Sequence, residues 1–318
     1  MGSMNEIIIG SRGSALALTQ TNWVAEQISR HNPGVRTRVE IIKTSGDRIL
    51  DTPLSRIGDK GLFVKELEVA LLESRVDIAV HSMKDLPTDM PDGLCIAAIP
   101  VREEQCDVLV SSFAALDQLP EGARIGSGSL RRRAQVLRYR PDLQMLELRG
   151  NLDTRLRKLD SGEYDAIILA CAGLRRLGLG ARVTEKLSFD ICVPAVGQGA
   201  LAIQSRTGDE RVKSILVPLD NASARAEVTA ERTLMAALDG GCQTPIGGAA
   251  TAEGGTLLLR AMVASTDGKT VIRREALGSV DSPEELGQCV ANALMDAGAK
   301  EILEEARANA GPGQVGAA

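Results

Sequence analysis

Short apolar runs bounded by Gly, Ser and Pro alternate along the chain with segments whose apolar positions recur at helical spacing. EIIIG at 6–10 predicts a buried strand, SRGS a turn, and the stretch from Ala15 to Arg30 a helix. Residues 39–43, 76–80 and 94–99 predict further strands, with an amphipathic helix over 63–74. Residues 45–61 mix Gly, Pro and charge with little period, which predicts a long loop and a candidate lid. The alternation restarts near Val101, with strands predicted at 107–110, 124–126, 145–148 and 166–170 and helices at 130–138, 152–159 and 171–177. Strands interleaved with helices predict βαβ units and largely parallel sheets. After a helix over 222–238 the pattern changes. Strand-like runs between 246 and 277 are separated by AEGG and STDGK, which predicts an antiparallel meander, followed by one helix over 283–307 and a disordered tail.

One internal echo stands out of this pattern. IIIGSRGSALALTQ (7–20) and RIGSGSLRRRAQ (124–135) share a plan of strand, Gly-Ser turn and helix start. Two modules of similar design, facing each other across a cleft, would account for it. A length of 318 residues allows two or three domains.

Composition sharpens the picture in three ways. With one Trp, two Tyr and three Phe, the core must be aliphatic. No apolar run reaches the roughly 18 residues that span a bilayer, and MGSMNEIIIG is not a secretory leader, so reduced thiols are expected. The six cysteines have no metal-ligand spacing. Cys95 and Cys192 lie in apolar runs and read as small buried hydrophobes, whereas Cys242 sits in GGCQTPIG among glycines, Gln and Pro. The net charge is −5, yet residues 124–158 hold ten Lys/Arg against three acids, which marks a positive site on an acidic protein.

The candidate chemistry lies in the turns. A helix start exposes unpaired N–H groups, and Gly-Ser turns let an anion approach them; Ser14, Ser127 and Ser129 add hydroxyls. Each serine is equally a plain N-cap. Arg131, Arg132 and Arg133 open a helix against its dipole, which points to a ligand. Arg149, Arg155 and Arg176 fall near strand ends, where ligands bind in α/β sheets. Guanidinium forks match carboxylates. Arg138, Arg140 and Arg157 read as solvated surface. Nucleic acid is disfavoured by the acidic total and the scarcity of aromatics. Asp85 in HSMKDLP is either a carboxylate aimed into a cleft or a turn cap. PAVGQGAL (194–201) reads as a Gly-rich hinge in which Gln198 can hydrogen-bond a ligand.

GSRGSALAL, GDKGLFVKELE, HSMKDLP, IGSGSLRRRAQ, LRGNLDTRL, AGLRRLG, PAVGQGAL and GGCQTPIG occur in this order from residue 10 to 247. In them the chain resembles the porphobilinogen deaminases, or hydroxymethylbilane synthases, over nearly its whole length. The resemblance implies a transferase that joins four porphobilinogen molecules with loss of ammonia on a dipyrromethane cofactor, bound as a thioether to Cys242, and releases 1-hydroxymethylbilane. It implies Asp85 and Arg149 as catalytic residues. Lys84, Asp85, Ser129, Arg131, Arg132 and Arg155 would hold the cofactor. Arg12, Ser14, Arg149, Arg155, Arg176 and Gln198 would hold the incoming ring. Two positions depart from the family pattern, Arg56 for a Lys and Gly128 for a Ser or Thr.

The expected fold is α/β in three domains: two similar lobes like periplasmic binding proteins, with mainly parallel sheets, and a smaller α+β domain with an antiparallel sheet. Their expected spans are 1–100 with 200–217, 101–199, and 218–318. A cytoplasmic monomer, with no metal and no nucleic-acid or membrane partner, completes the expectation. Two rival classes remain at this level, a non-catalytic anion-binding module and an acyl transferase using the Cys242 thiol.

Overall fold

The computed structural model describes residues 6–45, 64–113, 115–240 and 244–309. Cys242 lies outside these residues, as do the C-terminal tail and all of the candidate lid except Ser45.

The first lobe begins with β1 (Glu6–Ser11), α1 (Ala15–His31), β2 (Arg36–Ile41), α2 (Lys65–Leu72), β3 (Ile78–Ser82) and β4 (Leu94–Ala98). The chain then crosses to the second lobe through β5 (Asp107–Ser111), β6 (Arg124–Gly126), α3 (Leu130–Tyr139), β7 (Gln144–Leu146), α4 (Leu152–Asp160), β8 (Ala166–Ala170), α5 (Cys171–Arg176) and β9 (Glu185–Lys186). It returns to the first lobe as β10 (Leu201–Arg206) and α6 (Glu210–Leu216). A small third domain follows, made of α7 (Ala222–Ala237), β11 (Ile246–Glu253), β12 (Thr256–Ala264), β13 (Val271–Ser279), α8 (Pro283–Asp296) and α9 (Ala299–Asn309).

The two lobe sheets have one plan. Their strand orders are β2-β1-β3-β10-β4 and β7-β6-β8-β5-β9, with β1 parallel to β2 and β3, and β6 parallel to β7 and β8. The fourth position in each order is held by an antiparallel strand that arrives from the other lobe, β10 in the first and β5 in the second. Each lobe therefore donates one chain crossing to its neighbour, at 99–106 and 193–200. The echo seen in the sequence is β1–α1 against β6–α3, corresponding units of the two sheets.

Half of the expected parallel character is replaced. The sheets are mixed, because a strand that enters from the opposite lobe runs back toward its origin. β10 and α6 were not legible in the pattern: Leu201 to Ser205 are all buried, so the strand carries no polar–apolar alternation. The expected single C-terminal helix is two, broken where Gly298 takes φ +95°. The meander is present as β11-β12-β13, all antiparallel, and Gly254 and Gly255 supply positive φ in its first turn.

Each sheet buries an aliphatic face, as the scarcity of aromatics requires. Ile7, Ile9, Val24, Ile28, Ile78 and Ile203 pack in the first lobe. Leu109, Ile125, Val136 and Ile168 pack on one face of the second sheet, and Val108, Ile167, Leu169 and Leu174 on the other. Leu234, Leu259, Val263, Val290 and Leu294 fill the third domain. Cys192 is fully buried as expected; Cys95 is only half-buried, with Sγ 3.7 Å from Ser205 Oγ. No helix among the described residues is long and apolar enough to cross a membrane.

Candidate active site

The predicted site residues sit beyond the carboxyl ends of the parallel strands. Arg12 and Ser14 follow β1, and Lys84 and Asp85 form the single-turn helix Met83–Asp85 after β3. Ser129, Arg131 and Arg132 follow β6, Arg149 and Arg155 follow β7, and Arg176 follows β8. Pairing in register across each sheet is what brings these turns to one end, where ligands bind in open α/β sheets.

Both Gly-Ser turns are real N-caps. Ser14 Oγ accepts from Ala17 N at 3.3 Å, and Ser129 Oγ accepts from Arg132 N at 3.4 Å. Capping and ligand contact are compatible, since a hydroxyl that accepts from an amide still has a proton to donate.

The arginines that open α3 have an internal partner. Asp107, the fully buried first residue of β5, accepts from Arg131 Nη1 at 2.7 Å and from Arg132 Nη2 at 2.7 Å. Arg131 also donates to Val193 O, and Arg132 to Ile168 O. Burial alone would raise the Asp107 pKa, but the two guanidinium charges hold it well below the usual carboxylate range. Arg131 and Arg132 thus have an internal partner besides the ligand role expected of them: one carboxylate offsets one of their two charges. Asp107 was missed because an acid before an apolar run looks like the solvated end of a strand. Arg140 is a correction to the solvated-surface reading. It is half-buried and donates to Leu116 O, Leu119 O and Asp142.

Gln198 is also corrected. It is fully buried, and its Nε2 spends its two hydrogens on Gln105 O (2.7 Å) and Asp107 Oδ1 (2.9 Å), while Oε1 accepts from Lys84 Nζ at 3.3 Å. It is a bridge beneath the cleft that ties Lys84 of the first lobe to Asp107 of the second. The hinge around it is tight. At Gly197 (φ +73°) a Cβ would lie 2.6 Å from Met83 Cγ, and at Gly199 (φ +88°) it would collide with the Glu103 carbonyl.

Charge links the two lobes directly. Burial lowers the Lys84 pKa to about 8, with Asp85 opposing the shift and Arg132 adding to it. Burial likewise lowers Arg155 to about 10, helped by Arg132 and opposed by Asp85. Lys84, Asp85, Arg132 and Arg155 thus lie within one electrostatic neighbourhood, although the first two and last two come from different lobes. Arg155 Nε donates to Gly150 O at 2.8 Å, and Arg149 Nε pairs with Glu147 at 3.0 Å. Arg176, lowered to about 10 by burial, donates to Gly199 O at 2.6 Å and so rests on the hinge. Arg12 adds a charge near His81, whose pKa burial drops to about 4. Among the described residues, five cations (Lys84, Arg131, Arg132, Arg149, Arg155) and three carboxylates (Asp85, Asp107, Glu147) interact in this cluster. Asp85 itself is exposed. Such a cleft can hold a small polyanion and present one carboxylate to it.

The match to known proteins is extensive. The family described as porphobilinogen deaminase, dipyromethane cofactor binding domain, matches residues 7–214, and the porphobilinogen deaminase C-terminal domain matches 225–296. A porphobilinogen deaminase of Carboxydothermus hydrogenoformans is 51% identical over 307 residues, covering 96% of this chain and 98% of the relative. One from Moorella thermoacetica is 49% identical over 309 residues, covering 97% and 99%. Among solved structures, a TRAP periplasmic solute binding protein from Desulfovibrio salexigens aligns with TM-score 0.42 at 10% identity, over 69% of this chain and 73% of that one.

Proposed function

The chain belongs to the porphobilinogen deaminase family, and on that premise we infer what its own residues do. The enzyme, a hydroxymethylbilane synthase, joins four porphobilinogen molecules head to tail with loss of ammonia on a covalent dipyrromethane primer. It then releases 1-hydroxymethylbilane by hydrolysis, a step of tetrapyrrole and heme biosynthesis.

The residues present fit a dipyrromethane. Each of its rings carries an acetate and a propionate, and the cleft has more cations than carboxylates. Burial also presses Lys84, Arg155 and Arg176 toward neutrality, a cost that bound carboxylates offset. That surplus of partly desolvated cations around an exposed aspartate is the observation that supports the reading. When bound, the cofactor supplies a pyrrole with a free α-carbon to which the first substrate ring is joined.

In this reading Cys242 is the point of attachment, on the segment between α7 and β11. Lys84, Ser129, Arg131, Arg132 and Arg155 hold cofactor carboxylates, with Asp107 fixing the two adjacent guanidinium groups from below. Arg12, Ser14, Arg149, Arg155 and Arg176 hold the carboxylates of the incoming ring. Departure of ammonia leaves positive charge on the substrate pyrrole nitrogen. Asp85, beside Lys84, stabilises that charge and takes up the proton released as the rings join. Preorganised charge of this kind acts strongly where water is excluded. Arg149, oriented by Glu147, assists proton transfer to the departing amine.

The domain spans proposed are 1–100 with 200–217, 101–199, and 218–318. We take the enzyme to act as a cytoplasmic monomer on a small-molecule substrate, without a nucleic-acid or membrane partner; the −5 net charge and the few aromatics count against nucleic acid.

Intact mass tests the proposal. Native protein should exceed its sequence mass by one dipyrromethane, and Cys242→Ala should remove the excess along with turnover of porphobilinogen. An unmodified thiol on active enzyme would refute the proposed attachment.

A further inference from the structure

Away from the cleft, the second lobe holds three ligating side chains in one place. Cys106 ends the first crossing, Cys171 opens α5, and Cys171 N donates to Cys106 O at 3.1 Å, so the two thiols face each other across the β5–β8 edge. Glu104, two residues before Cys106 in the crossing, lies on the same side. The Cys171 Sγ and Glu104 Oε2 atoms are 3.5 Å apart, and the Glu104, Cys106 and Cys171 donor atoms all lie within 4.8 Å of one another.

We propose that Glu104, Cys106 and Cys171 form a binding site for one soft divalent cation of the Zn²⁺ or Cd²⁺ class. Three further features carry it. With metal–sulfur and metal–oxygen bonds of about 2.3 and 2.1 Å, a tetrahedral sulfur–oxygen edge spans about 3.6 Å, which the Cys171–Glu104 pair already matches. Three anionic donors around a divalent ion leave one negative charge; Lys186 Nζ, 2.7 Å from Glu104, balances it, while Arg175 Nη1, 3.0 Å from Glu104, is shared with Glu103 at 3.4 Å. A cavity of about 530 Å³ is lined by Glu104, Cys106 and Lys186 and so reaches two of the three ligands. Binding breaks two S–H bonds, forms two metal–thiolate bonds and releases both protons to solvent; the metal keeps its oxidation state, and water completes the coordination.

The placement gives the ion a structural role. Cys106 directly precedes Asp107, which anchors Arg131 and Arg132, and Cys171 begins the helix that carries Arg176. A cation here would pin the two elements that support the arginine side of the cleft, without touching substrate.

The test uses holoenzyme stripped by a chelator and titrated with Cd²⁺, with Zn²⁺ as competitor. One equivalent should bind and give the ultraviolet thiolate-to-cadmium band. Cys106→Ser or Cys171→Ser should weaken binding by at least the about 10- to 100-fold typical of losing an outer-shell partner. Cys289→Ser, at an exposed thiol, should bind as wild type does. On unmutated holoenzyme, where folding of variants is not in question, Cd²⁺ should protect Cys106 and Cys171 from alkylation in peptide mapping. Absence of the band in wild type, its full retention in a Cys106→Ser/Cys171→Ser double variant, or alkylation of the two thiols that is equal or absent with and without the ion would each overturn the proposal.

Discussion

Arg132 reaches a single oxygen of Asp107 with two of its nitrogens, Nη2 at 2.7 Å and Nε at 3.1 Å. The other oxygen of that carboxylate is taken by Arg131, so one buried acid fixes the orientation of both guanidinium groups. Asp107→Asn should cost about 3–5 kcal/mol, because it leaves buried charge uncompensated. The pH dependence follows from the direction of the Asp107 shift. Its folded pKa lies below the ordinary 3.8, so the stability it contributes is complete above that value and is lost as pH falls through the folded one. Urea titrations of both proteins should show a gap that is constant above about pH 5 and narrows in stronger acid. A gap independent of pH would contradict the pairing.

Asp85 gives the opposite kind of variant. It is exposed, at the end of the Met83–Asp85 turn, so Asp85→Asn should stay folded, losing only the support its charge gives Lys84 and Arg155. Turnover of porphobilinogen should fall by about a hundredfold or more, the scale for removing one preorganised electrostatic partner. Near-normal kcat in a fully loaded Asp85→Asn enzyme would take the aspartate out of the chemistry.

Lys84 should report directly on the presence of carboxylates in the cleft. Burial brings its pKa from 10.5 to about 8. A cation lowered in this way opposes folding below about 8, and that opposition is relieved as pH rises from 8 toward 10.5. In cofactor-free Cys242→Ala protein, competitive labelling of the Lys84 amine should therefore show a midpoint near 8. Anions held beside it favour the charged form, so the midpoint in holoenzyme should be higher. Equal midpoints in the two proteins would show that Lys84 does not face the cofactor.

What the sequence made legible was local. The strand–turn–helix units at 6–31 and 124–139 could be read because an apolar run, a Gly-Ser turn and an N-cap are encoded within a few residues. Lys84, Asp85 and the arginines lay at strand ends for the same reason. Relations made by topology were hidden. Asp107 meets Arg132 across 25 positions, and Gln198 meets Lys84 across 114. Nothing in PAVGQGAL distinguishes a ligand-binding amide from one buried beneath the ligand. The return of the chain at 200–217 belongs to the expected domain spans, but β10 was not legible there as a strand, since it is buried on both faces and has no strand period.

The third domain is bound to both crossings through one acid. Glu231 of α7 is fully buried and accepts from Arg102 Nη1 (2.7 Å) and Nη2 (2.9 Å), from Gly197 N (2.6 Å) and from Ala250 N (2.7 Å). Arg102 lies on the first crossing, Gly197 on the second and Ala250 on β11, so three segments distant in sequence share two oxygens. Arg102 also gives Nε to Gln198 O, which sits in the bridge under Lys84. Glu231→Leu and Arg102→Leu should each destabilise by about 3–5 kcal/mol, since each strands the partner's buried charge. The double variant should cost clearly less than the two single losses together, because Arg102 and Glu231 no longer strand each other and only Glu227, 3.2 Å from Arg102, loses its partner. Urea denaturation of the four proteins measures the coupling. Strictly additive losses would mean that the pair does not act as a unit, and the joint between the third domain and the hinge would then have to be sought in the apolar contacts of β11.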